Sequence, residues 1–425
     1  MTTEPTAASR YYALALLIVI NVLSFVDRHM LPAFATQITT DLDLSRQQFG
    51  LLTGFAFVAV YALSGPLMGV LADRYNPSRV IACGIALWSA MTWLTGLSKS
   101  FLQILLPRMA IGVGEASLHP AAVGMLSRLF SPTRRATMLG LFFMGSHIGL
   151  GLAYWLAGTL GEAIGWRSMF YVLGGLGIFL ALVLIISARL APRTFSPPVA
   201  PSEGSDSGGS VRTLVRALMS AVRDNAAFRQ AVLGISFLHA IYASSQFMQL
   251  WLVTEKGLAP ATASSIYGSV YLLVAIPASM LGGFAADWFA RRFQSTRALF
   301  VVLVGVLSWP LLILFRLSAP DSASFYLGMV AAVFLFAFPY GAMVSLVLDE
   351  APSSIQSTAT AFTMFVANVL VIGTGTYAIG FFGDLFESHQ IAAPLTKALL
   401  GADVVVLLAI VVYLRLHWTI RARSH

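Results

Sequence analysis

Asn21-Val-Leu-Ser-Phe-Val-Asp27-Arg28 governs how the rest of this chain is read. These residues lie inside an apolar run from Tyr11 to Phe34, 24 residues long, and about 20 apolar residues cross a bilayer. Two adjacent ionisable side chains therefore fall where the surrounding chain calls for lipid. Each would cost roughly 2.5–3.5 kcal/mol at the centre of a lone inserted helix. Such charges persist where they face protein or a water-filled cavity. The run is too long, and too polar in its second half, for a cleaved signal peptide. It reads as a first spanning helix with a polar inner face.

The same reading extends outward. The chain has 425 residues, 58% of them hydrophobic and only 10% charged, with a mean hydropathy of +0.81. A soluble protein of this length needs more charge to cover its surface, so the expectation is an all-α polytopic membrane protein. Twelve apolar segments can be marked, at about 11–34, 47–71, 79–97, 101–129, 136–160, 168–190, 229–254, 260–286, 297–318, 323–348, 356–383 and 394–417. They group as residues 1–190, a polar stretch 191–228, and residues 229–425. That stretch is Pro-rich, then Gly/Ser-rich through Ser202–Ser210, and reads as a flexible linker. Val211 to Arg223 reads as a basic amphipathic helix on the membrane surface.

The net charge of +8 sorts by membrane side instead of marking a nucleic-acid partner. Of 26 Lys and Arg residues, 18 fall on the side shared by the termini, six on the other, and Arg28 and Arg108 lie within the membrane. By the positive-inside rule both termini are cytoplasmic. The single cysteine, Cys83, allows no intrachain disulfide, and Asn76-Pro-Ser78 is blocked as a glycan acceptor by its proline. Both suit a bacterial inner membrane.

A repeat crosses the linker. Gly69-Val-Leu-Ala-Asp73-Arg74 follows helix 2 and Gly283-Phe-Ala-Ala-Asp287 follows helix 8, displaced by 214 residues; Pro132 and Pro352 correspond at a displacement of 220. Six helices are thus repeated by six, an organisation typical of secondary transporters with a site between the halves near the midplane. With Gly-x-x-x-Asp-Arg after helix 2 and a weaker copy after helix 8, where Trp288 replaces arginine, the chain resembles the major facilitator superfamily over its whole length. Asn21…Asp27-Arg28, Arg108-Met-Ala-Ile-Gly112-Val-Gly114-Glu115-Ala-Ser117 and Gly165-Trp166-Arg167 resemble the Spinster-type transporters. Asp-Arg in helix 1 also resembles organic anion–proton symporters. Gly145-Ser-His-Ile-Gly149-Leu-Gly151 is a partial form of the glycine-rich helix 5 associated with exporters in this superfamily, while Gly373-Thr-Gly375 suggests packing common to both halves.

Asp27 and Arg108 each lie seven residues from the outer end of their segments, about 10 Å deep, which places them at matching depth. An Asp27–Arg108 pair is the expected way to hold both charges in an apolar wall. Glu115 lies nearly two turns further along the face of Arg108. Asp27, Arg108 and Glu115 are therefore the expected proton-coupling groups, as the Spinster resemblance also implies for the helix 1 acid and helix 4 arginine. Expected to face substrate are Asn21, Ser24, Arg28 and Arg108; Tyr61 and Phe143; His239, Tyr242, Gln246 and Gln249, one stripe of helix 7; and Asn368. The aromatic wall and scarce charge favour an amphipathic cargo over a sugar. Gly69, Asp73, Arg74, Arg79, Arg134 and Arg135, with Asp287, Arg291, Arg292 and Glu350, form an expected cytoplasmic gate. There Asp73 would pair with Arg134 and Arg135, Asp287 with Arg291 and Arg292, and Asp349 and Glu350 with first-half arginines. No metal cluster, activated nucleophile or nucleotide loop stands out. The expectation is a monomeric carrier and not an enzyme, with no cofactor beyond the proton gradient. It would move an amphipathic lipid, such as a sphingosine phosphate or lysophospholipid, with small organic anions or drug export as the alternative. Its partners would be that small amphipathic or anionic substrate, protons and membrane lipids, with no nucleic acid.

Overall fold

The structure is a computed structural model that describes residues 5–195, 211–352 and 355–423. Pro197, Pro198, Pro201, the Gly/Ser-rich part of the linker and the side chain of Asp73 lie outside the described residues. Among those described there is helix and no strand.

The first half runs as α1 (Ala7–Ala33), α2 (Ala35–Asp41), α3 (Arg46–Gly50), α4 (Ala56–Arg74), α5 (Pro77–Thr95), α6 (Phe101–Glu115), α7 (Leu118–Leu129), α8 (Pro132–Leu190) and α9 (Pro192–Phe195). Then come α10 (Val211–Asp224), α11 (Ala226–Leu238), α12 (Ala240–Ser245), α13 (Met248–Thr254), α14 (Pro260–Arg292), α15 (Arg297–Leu317) and α16 (Ala323–Ala337). The chain closes with α17 (Tyr340–Glu350), α18 (Gln356–Phe365), α19 (Thr374–Ser388) and α20 (Pro394–Arg423). Every apolar segment of the sequence is covered by helix. Among the described residues, ten helices are long and apolar enough to cross a membrane. One of them, residues 137–190, is really two, because Gly165 breaks it with φ 74° and ψ 160°, a backbone region that only glycine enters freely. Helix α5, 19 residues long, covers the third apolar segment.

The chain divides into two compact units. One comprises α1 to α9 with Ala259–Leu272; the other comprises α10 to α13 and the chain from Leu273 onward. In the first, α8 packs on α1 and α5, and α6 packs on α5. These helices approach closely because their contacts are small. A Cβ on Gly84 would stand 1.9 Å from Ser117 Oγ and 2.7 Å from the Gly114 carbonyl, and one on Gly149 would stand 2.5 Å from the Val22 carbonyl. Small residues at such crossings are how membrane helices gain packing when lipid supplies no hydrophobic drive. In the second unit, α20 packs against α11 and α15.

Several spanning helices are interrupted. A π-helical stretch, Leu51–Phe55, separates α3 from α4, and another, Val366–Gly373, separates α18 from α19. The fourth span breaks between Glu115 and Leu118, the seventh at His239 and again at Gln246–Phe247, the tenth between Ala337 and Tyr340. The breaks in the fourth and tenth spans fall within two residues of corresponding positions of the repeat. Irregular backbone at membrane depth is tolerated where it is buried in protein or lines a cavity.

Candidate functional site

Helix α1 places Asn21, Ser24, Asp27 and Arg28 on its buried side; Asn21 and Ser24 are fully buried and Asp27 is 2% exposed. Asn21 Nδ2 donates to the Phe142 carbonyl at 2.7 Å. Asp27 accepts from the hydroxyl of Thr92 on α5 through one carboxyl oxygen. Its other oxygen, one oxygen of Glu115 and the Ser24 hydroxyl are buried without a hydrogen-bond partner among the described residues.

The ion pair formed here joins Arg28 to Glu115, and not Asp27 to Arg108. Arg28 donates to Glu115 Oε2 from Nη2 at 2.5 Å and from Nε at 3.0 Å. Arg108, 2% exposed, donates to the Arg28 carbonyl at 2.9 Å and to the Leu52 carbonyl at 3.4 Å. The physical reason is reach and geometry. Glu115 ends α6 beside the break in the fourth span, where the long Arg28 side chain meets it, while the π-helical stretch at Leu51–Phe55 turns a carbonyl toward Arg108. The shorter Asp27 meets α5 instead. Depth alone predicted the cluster but not its pairing.

Aromatic rings complete the enclosure. The Arg28 guanidinium lies 4.7 Å from the centroids of Phe25 and Phe57 and 4.8 Å from that of Tyr61; Arg108 lies 4.5 Å from Phe57. Phe57 is thus shared by both cations, a contact worth about 2 kcal/mol or more when desolvated. The Tyr61 hydroxyl meets His119 Nδ1 at 3.2 Å, and His119 stacks on Phe143 at 5.8 Å. Neither Thr92 nor His119 was singled out from sequence. Their signal was weak: a threonine in an apolar helix, and a histidine just past a helix break, next to Pro120.

In the second unit, the helix 7 stripe falls on the broken seventh span. His239 (5% exposed), Gln246 (3%) and Gln249 (fully buried) lie inside the unit. His239 Nδ1 meets the Ile235 carbonyl at 2.7 Å, and its ring packs edge-on against Phe336 at 5.3 Å and Tyr340 at 6.1 Å. Tyr242 packs on Phe336 at 6.0 Å. Asn368 donates to the Met364 carbonyl at 2.7 Å within the second π-helical stretch. The unit also holds a charged pair whose partners the sequence alone does not match to each other. Arg316, counted among the outer-side charges, is 1% exposed and grips fully buried Asp403 at 2.8 and 3.3 Å.

In the second unit Asp287 pairs with Arg297 instead of the expected Arg291 and Arg292. Arg297, at the start of α15, bridges Asp287 and Asp349, both at 2.7 Å. Arg291 and Arg292 are exposed. Glu350 pairs with Arg423 at 2.9 Å. One cation thus serves two carboxylates, joining the end of α14 to the end of α17 through the start of α15. In the first unit, Arg134 reaches the Tyr11 hydroxyl at 3.4 Å, Arg135 Nε is buried with no hydrogen-bond partner among the described residues, and Arg74 and Arg79 are exposed. A Cβ on Gly69 would sit 3.8 Å from Pro120, in ordinary contact. The Gly165-Trp166-Arg167 motif converges on Asp41: Trp166 Nε1 donates to it at 3.0 Å, Arg167 forms an ion pair with it, and Arg167 also donates to the Ser98 carbonyl at 3.0 Å.

A helical chain with repeated halves, matching breaks and a buried ionic cluster can be compared with known proteins. The Major Facilitator Superfamily profile matches residues 17–376. The chain belongs to the Major Facilitator Superfamily. It is therefore an integral, multi-pass secondary transporter and not an enzyme. An MFS-type efflux pump of Mycolicibacterium smegmatis (strain ATCC 700084 / mc(2)155) is 28% identical over 395 residues, covering 91% of this chain and 88% of the pump. A sphingosine-1-phosphate transporter of Xenopus tropicalis is 25% identical over 400 residues, covering 91% and 76%. The crystal structure of a bacterial homolog of the human lysosomal transporter Spinster, inward-facing and unoccupied, superposes with a TM-score of 0.82. It is 23% identical and covers 98% of each chain. The resemblance to Spinster proteins read from the sequence is borne out.

Proposed function

We propose that this chain carries an amphipathic, anionic lipid, of the sphingosine phosphate or lysophospholipid kind, in exchange for or together with protons. The observation that carries the reading is the buried cluster of Asp27, Arg28, Arg108 and Glu115. Two carboxylates and two guanidiniums are held there among aromatic rings, and one oxygen of each acid has no hydrogen-bond partner among the described residues. A proton taken up by Asp27 or Glu115 changes the balance that holds Arg28. A released guanidinium is a partner for a phosphate or carboxylate. Tyr61 and Phe143 supply apolar surface beside it, and in the second unit His239, Tyr242, Gln246 and Gln249 supply a polar stripe for a headgroup. Lys and Arg counts favour cytoplasmic termini, and the single cysteine and blocked glycan acceptor suit a bacterial inner membrane. The bridges through Arg297 and Arg423 support a role in biasing transport states, since networks of such pairs form and break as carriers alternate.

Similarity to an efflux pump supports a second reading, export of drug-like amphiphiles through the same cluster. The test is flux in proteoliposomes with an imposed pH gradient, using a fluorescent lysolipid, a hexuronate and a cationic dye. Lysolipid flux driven by the gradient, and its loss in Asp27→Asn with folding retained, is the expected result. Gradient-driven flux that survives unchanged in that variant removes Asp27 from coupling; movement of the dye alone favours export.

A further inference from the structure

At the end of the first unit where α5 begins and α8 ends, a cavity of about 760 Å³ opens between the two helices. Arg79, Arg189 and Arg193 stand on its lining. Its floor is a slot of small apolar groups: Ala82, Cys83 and Ala86 from α5 face Ala188 and Ile185 from α8. The spacing explains the shape. Residues 79, 82, 83 and 86 share one face of α5, as do 185, 188 and 189 on α8. Seven residues of helix separate Arg79 from Ala86, about 10 Å of slot running inward from the arginines. Among the described lining residues none is acidic. The N-terminus of α5, represented by Asn76 and Ser78, opens on the same space and adds positive potential. Thr92, the partner of Asp27, lies six residues beyond Ala86 along α5, about 9 Å further along the axis. The groove is thus separate from the ionic cluster.

A cationic rim above an apolar slot at a helix end matches an anionic amphiphile that enters from the leaflet. Basic pockets between spanning helices bind acidic lipid headgroups. We propose that this groove holds one anionic phospholipid of the surrounding membrane. Its phosphate sits among Arg79, Arg189 and Arg193, and the first part of an acyl chain lies along the alanine slot. The proposal does not depend on which cargo the chain transports.

Cys83, exposed in the groove and the chain's only cysteine, reports occupancy directly. The full chain is presented with equimolar phosphatidylglycerol and phosphatidylcholine, and retained lipid is counted by native mass spectrometry. Maleimide labelling of Cys83 is followed in nanodiscs of the same lipids. Retention of one phosphatidylglycerol in preference to phosphatidylcholine, with slowed labelling of Cys83, is expected. Each arginine contributes about five-fold, so R79Q/R189Q/R193Q loses preference on the order of 100-fold and labels equally fast in both lipids. Ala188→Leu keeps the charges but fills the slot, and should also restore labelling. Equal retention of both lipids by the unmodified chain overturns the proposal. So does an anionic preference undiminished in the triple variant, or protection of Cys83 by soluble glycerophosphate as strong as by the lipid.

Discussion

Removing the charge of Asp403 while keeping its shape tests how the second unit is held together. In Asp403→Asn, the Arg316 guanidinium loses the carboxylate it grips at 2.8 and 3.3 Å yet stays 1% exposed. Leaving one member of a buried pair uncompensated costs about 3–5 kcal/mol. The Trp251 and Phe315 rings lie 5.1 and 5.3 Å from the cation and remain in the variant, so these contacts cancel in the difference. A loss of at least about 3 kcal/mol is therefore expected. For a unit of about 200 residues, 1 kcal/mol moves Tm by roughly 2–4 °C, so Asp403→Asn should lower Tm by about 6–12 °C or more. Thermal unfolding in detergent, followed by tryptophan fluorescence, reads this directly because Trp251 packs on Arg316. Arg316→Leu with Asp403→Leu removes both charges and should cost far less than Asp403→Asn, since a buried pair replaced by apolar groups is often neutral. A loss below about 2 °C in Asp403→Asn, or a double variant worse than the single one, would refute the reasoning.

Other outcomes follow from single contacts. Gly165→Ala meets no crowding, but its φ of 74° and ψ of 160° should cost about 1–3 kcal/mol, seen as a lower Tm with unchanged flux per folded molecule. Gly84→Ala drives a Cβ into Ser117 and the Gly114 carbonyl and should cost about 1–3 kcal/mol through overpacking; Gly175→Ala, which meets nothing within 4 Å, is the control. The hydrogen bond from Arg167 beside Asp41 holds its carboxyl below the usual carboxylate range. Its stabilisation is present above the ordinary aspartate value near 3.9 and lost as pH falls through the lowered one. The Asp41 side chain is 44% exposed, so the pair contributes at most about 1 kcal/mol. Asp41→Asn should melt slightly lower than the parent at pH 7 and together with it well below pH 4.

The spans, the repeat and the presence of an ionic cluster were legible in the sequence because each rests on a one-dimensional quantity. A run of 24 apolar residues containing Asp27 and Arg28 demands a buried polar partner wherever the helix packs. Counting residues from a segment's end gives depth, since a helix rises by a constant increment. Which partner is met depends on azimuth, reach and interruptions of the helix, none of which depth encodes. Asp27 met Thr92; Arg28 met Glu115; Arg108 met carbonyls beside a π-helical stretch. The same holds for Arg297, which no loop motif marks, yet it bridges Asp287 and Asp349. It holds again for Arg316, whose place near the end of an apolar segment reads as surface until α20 brings Asp403 against it. Charge in an apolar sequence states that a partner must exist, because an unpaired charge in hydrocarbon is too costly. Only the packing of the helices selects which one.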